Sequence, residues 1–257
     1  MQRRKRTVAA KPLSILCEVW YTVGMPRKAD KIAKPAQPRS PRSSVSHDAE
    51  VGRAARAHSE ILDLVLSGEL LTGSPLNERQ LAEMLGMSRT PVRDALGRLE
   101  VESVITRHGK TLTVRQVSVQ EIKEVMAIRE VLESYAARLA AGRIDPSEIE
   151  DLSKRIHAIR DTKDPTADEH WKLDDAVHEL VWRGSGNAVL GELVVDLRRR
   201  TRMFDIDRVP ERFMPGCDEH LALLIALASG DAEAASTAMR SHIRNARQGI
   251  FENLINT

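Results

Sequence analysis

The sequence predicts a mainly α-helical protein: three helices with a small β-hairpin come first, and an all-α antiparallel bundle follows. Aromatic residues make up only 3% of the 257 residues, whereas Leu, Ala, Arg and Glu are abundant, which favours packed helices over sheets. Apolar residues also recur at helical spacing in most segments after residue 54. The main exception is a β-rich stretch near residue 110 that is divided by a turn.

Charge divides the chain into three segments. Residues 1–50 carry a net charge of +7, residues 51–117 carry +1, and residues 118–257 carry −6. Because five of the eleven prolines lie in the first segment, we expect a disordered basic extension there, with added affinity for phosphates. We interpret the second and third segments as two folded domains.

The sequence favours a cytoplasmic protein without a membrane partner. Cys17 and Cys217 lie far apart in unlike contexts, so they indicate neither a disulfide nor a thiolate metal site. No apolar run approaches the roughly 18 residues that a membrane span needs. The basic, partly apolar start superficially resembles a signal peptide, but Glu18 interrupts it, and Met25 is a plausible alternative start.

The first helices form a pair around a tight turn. Helical spacing over residues 54–66 predicts helix one, and the following Gly- and Pro-containing stretch ends it. Asn77, with Gln80 three residues later, is a capping-box pattern that opens helix two, and Gly86 ends it. Helix three follows, with Ser88 or Thr90 as its N-cap. This arrangement is typical of a helix-turn-helix.

The rest of the fold follows from two changes of pattern. The stretch "VITRHGKTLTV" predicts two short strands joined by a turn at His108 and Gly109, which is a small wing. From Val119 onward strand signals vanish, and about six helices with short connections are expected. Short connections favour antiparallel neighbours in one bundle.

The start of helix three has the chemistry of a DNA-reading element. Arg89 and Arg93 are four residues apart and share a helix face, and a guanidinium can donate two parallel hydrogen bonds to guanine. The hydroxyls of Ser88 and Thr90 suit phosphate oxygens. The alternative is an ordinary solvated helix face, which a domain charge of only +1 supports.

The stretch "SGELLTGSPLNERQLAEMLGMSRTPVRDALGRLE" resembles the winged helix-turn-helix of GntR-family bacterial transcription regulators. Two residues depart from the usual pattern: Ser103 replaces a glycine after helix three, and Gly97 lies in the middle of that helix. The resemblance implies that two helices and the wing tip touch DNA. The implied DNA-contacting residues are Arg79, Ser88, Arg89, Thr90, Arg93, His108 and Gly109.

A second group of residues in the C-terminal segment could ligate a metal. Asp174 and His178 are one helical turn apart and lie on one face. His220 and His242 each lie on or beside the apolar stripe of another predicted helix. One aspartate and three histidines suit zinc, nickel or a related divalent ion. The alternative is that each histidine is simply a hydrogen-bonded core residue.

The spacing of these four residues, together with "SGN" and "GD", resembles the FCD ligand-sensing domain of the FadR-type branch of the same family. The resemblance implies that all four hold a metal and that a small carboxylate binds at its open positions. It also implies that Arg129 binds the effector carboxylate, although a surface pair with Glu133 is the alternative. The arginines between 198 and 202 are interpreted either as effector contacts or as a charged face, and His157 and His170 as ordinary residues.

The predicted function is a homodimeric transcription regulator, a repressor that reads a palindromic operator and responds to a small organic acid. A metalloenzyme is the first alternative, since such ligand sets also occur in enzymes. The sequence has no identifiable general base, nucleophile motif or phosphate loop, so we expect no enzymatic activity. An architectural DNA-binding protein whose bundle only dimerises is the second alternative.

Overall fold

The computed structural model describes residues 44–162, 165–204 and 212–256, and these residues form helices with one small sheet. The helices are α1 (Ser44–Leu66), α2 (Glu78–Met84), α3 (Arg89–Val101), α4 (Val119–Ala140), α5 (Pro146–Arg160), α6 (Ala167–Gly184), α7 (Ala188–Phe204), α8 (Phe213–Ser229) and α9 (Ala232–Asn256). The strands are β1 (Pro75–Leu76), β2 (Ile105–His108) and β3 (Thr111–Val114). This mainly α architecture confirms the predicted fold class.

The N-terminal helices pack as the sequence predicts, with α1 against α3 and α2 beside α3. Ile61, Leu96 and Leu99 are fully buried in their shared core. The Asn77 side chain caps α2 by accepting the backbone N–H of Arg79 and of Gln80. The apolar faces therefore hold the start of α3 away from the core, at the surface.

The wing is a hairpin of β2 and β3, with a third strand that the sequence did not predict. β1 pairs antiparallel with β3, so the strand order is β1-β3-β2. The hairpin turn includes Gly109 in the left-handed conformation, φ +63°. β1 is only two residues long, too short for an alternating pattern to reveal it.

Helix α1 starts ten residues before the apolar pattern that predicts it. Residues 50–53 at its start are exposed, and its buried positions begin at Ala54. The apolar pattern in the sequence begins only at Ala54, so residues 44–50 were assigned to the extension. The predictions for residues 1–43, including the basic extension and the start at Met25, lie outside the described residues.

Six helices, α4 to α9, form the C-terminal bundle in the described residues, as the sequence predicts. The long helix α4 packs against α6, α7 and α9, while α8 packs against α5 and α9. None of the helices in the described part of the chain is both long and apolar enough to cross a membrane.

Helix α7 contacts the N-terminal helices as well as the bundle. Arg199 donates to the Glu102 carboxylate at 3.1 Å and to its backbone carbonyl at 3.2 Å, just after the end of α3. Glu102 also contacts His58 of α1 at 2.9 Å. Arg202 donates to the carbonyl of Leu66, the last residue of α1. These polar contacts join the two predicted domains through one helix.

Candidate functional site

The residues predicted to touch DNA all lie at the solvent-exposed surface. Each is solvent-exposed, on α2, at the start of α3 or in the β2–β3 turn. Ser88 occupies the N-cap position of α3, yet its side chain makes no capping hydrogen bond. These exposed positions are Arg79, Ser88, Arg89, Thr90, Arg93, His108 and Gly109. Their contact with DNA stays a prediction.

Two of these arginines are paired with nearby glutamates. Arg89 donates to Glu78 at 2.9 Å, and Arg79 donates to Glu83 at the same distance. The arginine side chains are 69% and 77% exposed, respectively. Exposed pairs of this kind contribute about 0 to 1 kcal/mol, so a phosphate can replace the carboxylate at little cost.

The residues predicted to bind a metal converge inside the bundle. Asp174 and His178 come from α6, His220 from α8 and His242 from α9, and each is at most 2% exposed. One ligand atom from each residue lies within 4.8 Å of the others. The Nε2 atoms of His178 and His242 are 3.2 Å apart, and Asp174 Oδ1 lies 3.4 Å from His220 Nε2.

Two glutamates contact the outer nitrogens of this cluster. Glu133 on α4 contacts the Nδ1 atom of His178, and Glu219 on α8 contacts the Nδ1 atom of His242 at 2.9 Å. Burial alone would raise the pKa of Glu133, but the Arg129 charge and His178 hold that pKa well below its usual range. Burial opposes the shift at Glu219 too, where bonds from His242 and Arg212 lower the pKa to about 2.

Both glutamates are therefore ionised and accept the Nδ1–H of their histidine. Burial lowers the pKa of His178 to about 4, with the charge of Arg198 acting in the same direction. Burial also lowers the pKa of His242. Neutral rings that donate through Nδ1 leave bare Nε2 lone pairs facing each other across 3.2 Å. A cation between them would turn this repulsion into ligation, so the donor set fits a metal ion.

Two buried arginines border the cluster. Arg198 donates to Asp174 Oδ2 at 2.7 Å and also binds Asp175. Arg129 donates to Glu133 at 2.6 Å and to the hydroxyl of Thr201 at 3.1 Å. The pair of Arg129 with Glu133 thus forms, but in the core and not at the surface, since both residues are buried.

The charged-face interpretation is wrong for Arg198, which is only 6% exposed. His170, interpreted as an ordinary residue, is buried and packs edge-on against Phe213, whereas His157 is exposed. Sequence reasoning considered Glu133 only as a surface partner of Arg129 and gave no role to Glu219. Their only local signals are the spacing of Glu133 from Arg129 and the position of Glu219 beside His220.

Comparison with family models gives two matches. Residues 53–114 match the model described as "Bacterial regulatory proteins, gntR family", and residues 124–245 match the FCD domain. The first match contains α2, α3 and the wing, and the second contains all four candidate metal ligands.

Several bacterial regulators are similar to this chain over most of their length. An HTH-type transcriptional regulator in an unstable DNA locus of Streptomyces ambofaciens is 30% identical over 193 residues, which cover 72% of this chain and 79% of that protein. The HTH-type transcriptional repressor RspR of Escherichia coli is 26% identical over 69% of this chain and 80% of its own length.

The fold is shared with solved structures. E. coli McbR/YncC superposes with a TM-score of 0.68 at 20% identity, covering 79% of this chain and 98% of that one. A GntR regulator structure from Rhodococcus covers 78% of this chain with a TM-score of 0.63. The matched family and the similar proteins are transcriptional regulators and not enzymes, in agreement with the sequence-based prediction.

Proposed function

Because the chain belongs to the GntR family of bacterial regulatory proteins and carries an FCD domain, we propose that it is a homodimeric repressor controlled by a small organic acid. The chain is a DNA-binding transcriptional regulator. Its proposed operator is palindromic, and the proposed effector binds beside a divalent metal ion. The observation that carries the sensing part is the convergence of four ligand atoms within 4.8 Å next to a buried arginine.

The proposed DNA-reading surface is the N-terminal end of α3 with α2 and the wing. Arg89 and Arg93 are exposed on the same helix, where each could reach a base edge in the major groove. The Ser88 side chain makes no capping hydrogen bond, so its hydroxyl and the helix N-terminus could together bind a phosphate. His108 at the wing tip is proposed to reach the minor groove.

The proposed metal is zinc or nickel, held by Asp174, His178, His220 and His242. Three imidazoles and one carboxylate are ligands that these borderline ions accept, and the lowered pKa of His178 and of His242 favours the neutral rings that bind a metal. When bound, the ion supplies a Lewis-acidic position for a carboxylate oxygen. The protein residues hold that position inside the bundle and exclude bulk water from it.

Charge balance favours an anionic effector. Two buried arginines, Arg129 and Arg198, face two buried carboxylates, Glu133 and Asp174, so a divalent ion adds uncompensated positive charge in the core. Among the described residues, Arg198 Nη1 is buried with no hydrogen-bond partner. A carboxylate at the metal would both offset the charge and accept from this N–H. Arg129 remains the second proposed effector contact.

The proposed dimer forms through apolar stripes on two packed helices. Ile128, Val131 and Tyr135 are spaced three and four residues apart on α4, and all three are about half exposed or more. Val189 and Leu193 leave a similar exposed stripe on α7. A second copy of the chain would cover these side chains and place two recognition helices on one operator.

The test is a binding titration between the protein and DNA that flanks its own gene, with fluorescence anisotropy as the measure of binding. The zinc-loaded protein is measured alone and with a panel of mono-, di- and tricarboxylic acids. We expect at least one acid to weaken operator binding by about 5- to 150-fold, the usual range for allosteric coupling. Operator binding that no acid and no chelator changes would instead support the architectural DNA-binding protein.

A further inference from the structure

Two chains of contacts with the same order of residues lead to two different candidate metal ligands. In the first, Arg129 donates to Glu133, which contacts Nδ1 of His178. In the second, Arg212 donates to Glu219 at 2.7 Å, and Glu219 accepts from Nδ1 of His242. The glutamates come from different helices, α4 and α8, so this likeness does not follow from local sequence.

We propose that Glu133 and Glu219 are the outer-sphere carboxylates of the metal centre, and that Arg129 and Arg212 hold them in place. This inference rests on the proposed metal site. It assigns positioning roles to four residues, none of which touches the ion itself. Outer partners of this kind fix the ring orientation of a ligating histidine and raise its basicity.

Such a partner decides which ring nitrogen faces the cluster. An imidazole can present either nitrogen to an ion, and a rotation about its side chain exchanges the two positions. A carboxylate fixed at Nδ1 selects the orientation in which Nε2 faces inward, as it does in both His178 and His242. Because both rings are fixed before the ion arrives, less conformational entropy is lost when the ion binds.

The two chains differ in their surroundings. Arg129 and Glu133 are fully buried, so neutralising the glutamate would leave an unpaired cation in the core. Arg212 and Glu219 are partly exposed, with 18% and 17% of their side chains accessible, and Asn245 also donates to Glu219. A change in the second chain of contacts should therefore disturb folding less than a change in the first.

Gly249 gives an independent way to disturb the second chain. The Arg212 side chain crosses this glycine, and a Cβ atom at position 249 would lie 2.7 Å from Arg212 Cγ and 2.8 Å from Cδ. A substitution to alanine would displace the guanidinium while leaving Glu219 and every metal ligand intact. Its effect on metal binding would therefore report on positioning.

The experiment measures Zn²⁺ affinity of the full-length protein by competition with a chelating dye, and the absorption spectrum of the Co²⁺-loaded form. We expect Glu219→Gln to weaken Zn²⁺ binding by about 10- to 100-fold and to shift the Co²⁺ bands. Arg212→Met and Gly249→Ala should weaken it less, in the same direction. The matched control is Glu179→Gln, which removes an exposed carboxylate beside His178.

The outcomes separate this inference from the proposed function. If the wild-type protein binds no Zn²⁺ or Co²⁺, the proposed metal site is wrong, and this inference is wrong with it. If the wild type binds and a folded Glu219→Gln protein binds equally tightly with the same Co²⁺ spectrum, only the outer-sphere role is overturned. If circular dichroism shows that Glu219→Gln does not fold, wild-type affinity in both Arg212→Met and Gly249→Ala would overturn it.

Discussion

Arg89 and Arg129 each form a salt bridge with a glutamate, but in opposite environments. The pair of Arg89 with Glu78 lies at the surface beside the start of α3, and the arginine side chain is 69% exposed. The pair of Arg129 with Glu133 lies in the bundle core, where the two side chains are 4% and 2% exposed. The same guanidinium–carboxylate pair is therefore solvated in one region and desolvated in the other.

The exposed pair is exchangeable and the buried pair is fixed. Water and salt screen the Arg89 contact, so a DNA phosphate or base can replace Glu78. Removing one partner of a buried pair leaves a charge without solvent, at a cost of about 3 to 5 kcal/mol. The surface region thus suits reversible binding of a large anion, while the core region suits the permanent positioning of ligands.

The largest expected effect is loss of the ion from the core region. His220→Ala removes one of four ligands and leaves a site with three, so we expect the zinc content of the purified protein to fall from about one per chain toward zero. The measurement is elemental analysis after gel filtration. His157→Ala, an exposed histidine on α5, is the control. Equal zinc content in His220→Ala and wild type would contradict the ligand assignment.

A smaller effect is expected at the exposed end of α3. Arg89→Ala should cost about 1 to 3 kcal/mol of binding free energy at the cognate operator and relax the preference at one base pair. Anisotropy titrations against the operator and its single-base variants measure both. Arg98→Ala serves as the control, because this exposed arginine lies in the last turn of α3. If both variants lose the same affinity for every sequence, Arg89 contributes only charge.

Whether the contact between the two regions couples acid binding to operator binding can be tested at Arg199. Arg199→Ala removes the bonds from α7 to Glu102, so we expect part of the coupling of about 1 to 3 kcal/mol between acid and operator to be lost. Operator affinity without acid should change little. The control is Arg200→Ala on the same helix, whose partners Glu121 and Asp196 both lie in the bundle. An unchanged response to the acid in Arg199→Ala would exclude this route.

Gly97 tests how much free space the surface region has. A Cβ atom at this position meets nothing within 4 Å, so Gly97→Ala should raise the free energy of unfolding by about 0.5 to 1 kcal/mol. Chemical denaturation measures this gain. An accompanying loss of operator affinity would show that DNA approaches the third turn of α3, whereas destabilisation would contradict the open geometry.

The smallest expected effect is at Glu78. Glu78→Gln releases Arg89 from its carboxylate, and because such a pair is worth at most about 1 kcal/mol, we expect DNA of any sequence to bind a few-fold more tightly. Measurements across salt concentrations should show the gain shrinking as salt rises. Glu60→Gln, which frees Arg56 on α1, is the matched control. Weaker binding by Glu78→Gln would mean that Glu78 orients Arg89 for DNA.

Local patterns predicted the parts of the molecule that local interactions determine. Asn77 caps α2 as predicted, and the spacing of Asp174 and His178 placed them on one helix face. Asn187, the last residue of the "SGN" stretch, accepts the backbone N–H of Leu190 at the start of α7. Ser103, noted as a departure from glycine, takes the left-handed conformation that a glycine would favour, φ +58°.

Apart from the cluster that the family resemblance implied, features that depend on long-range packing were not predicted. Glu133 meets His178 across 45 positions of sequence, and Arg198 meets Asp174 across 24, so no helical period links them. Burial of Arg198 was missed because a run of arginines resembles a solvated face until the opposing carboxylates are known. Sequence reasoning therefore identified the four candidate ligands, which the structure brings together, but not the charged residues in contact with them.

The burial of the four ligands on three separate helices has a kinetic consequence. An ion enclosed by α6, α8 and α9 can leave only when these helices part, so its residence time follows the opening rate of the bundle and not the strength of one bond. In the proposed metal-bound form, loading would then be fastest while the chain folds, and a chelator would remove the ion from the folded protein slowly. A regulator of the proposed kind would report the abundance of a metabolite and be insensitive to brief changes in the concentration of its own metal.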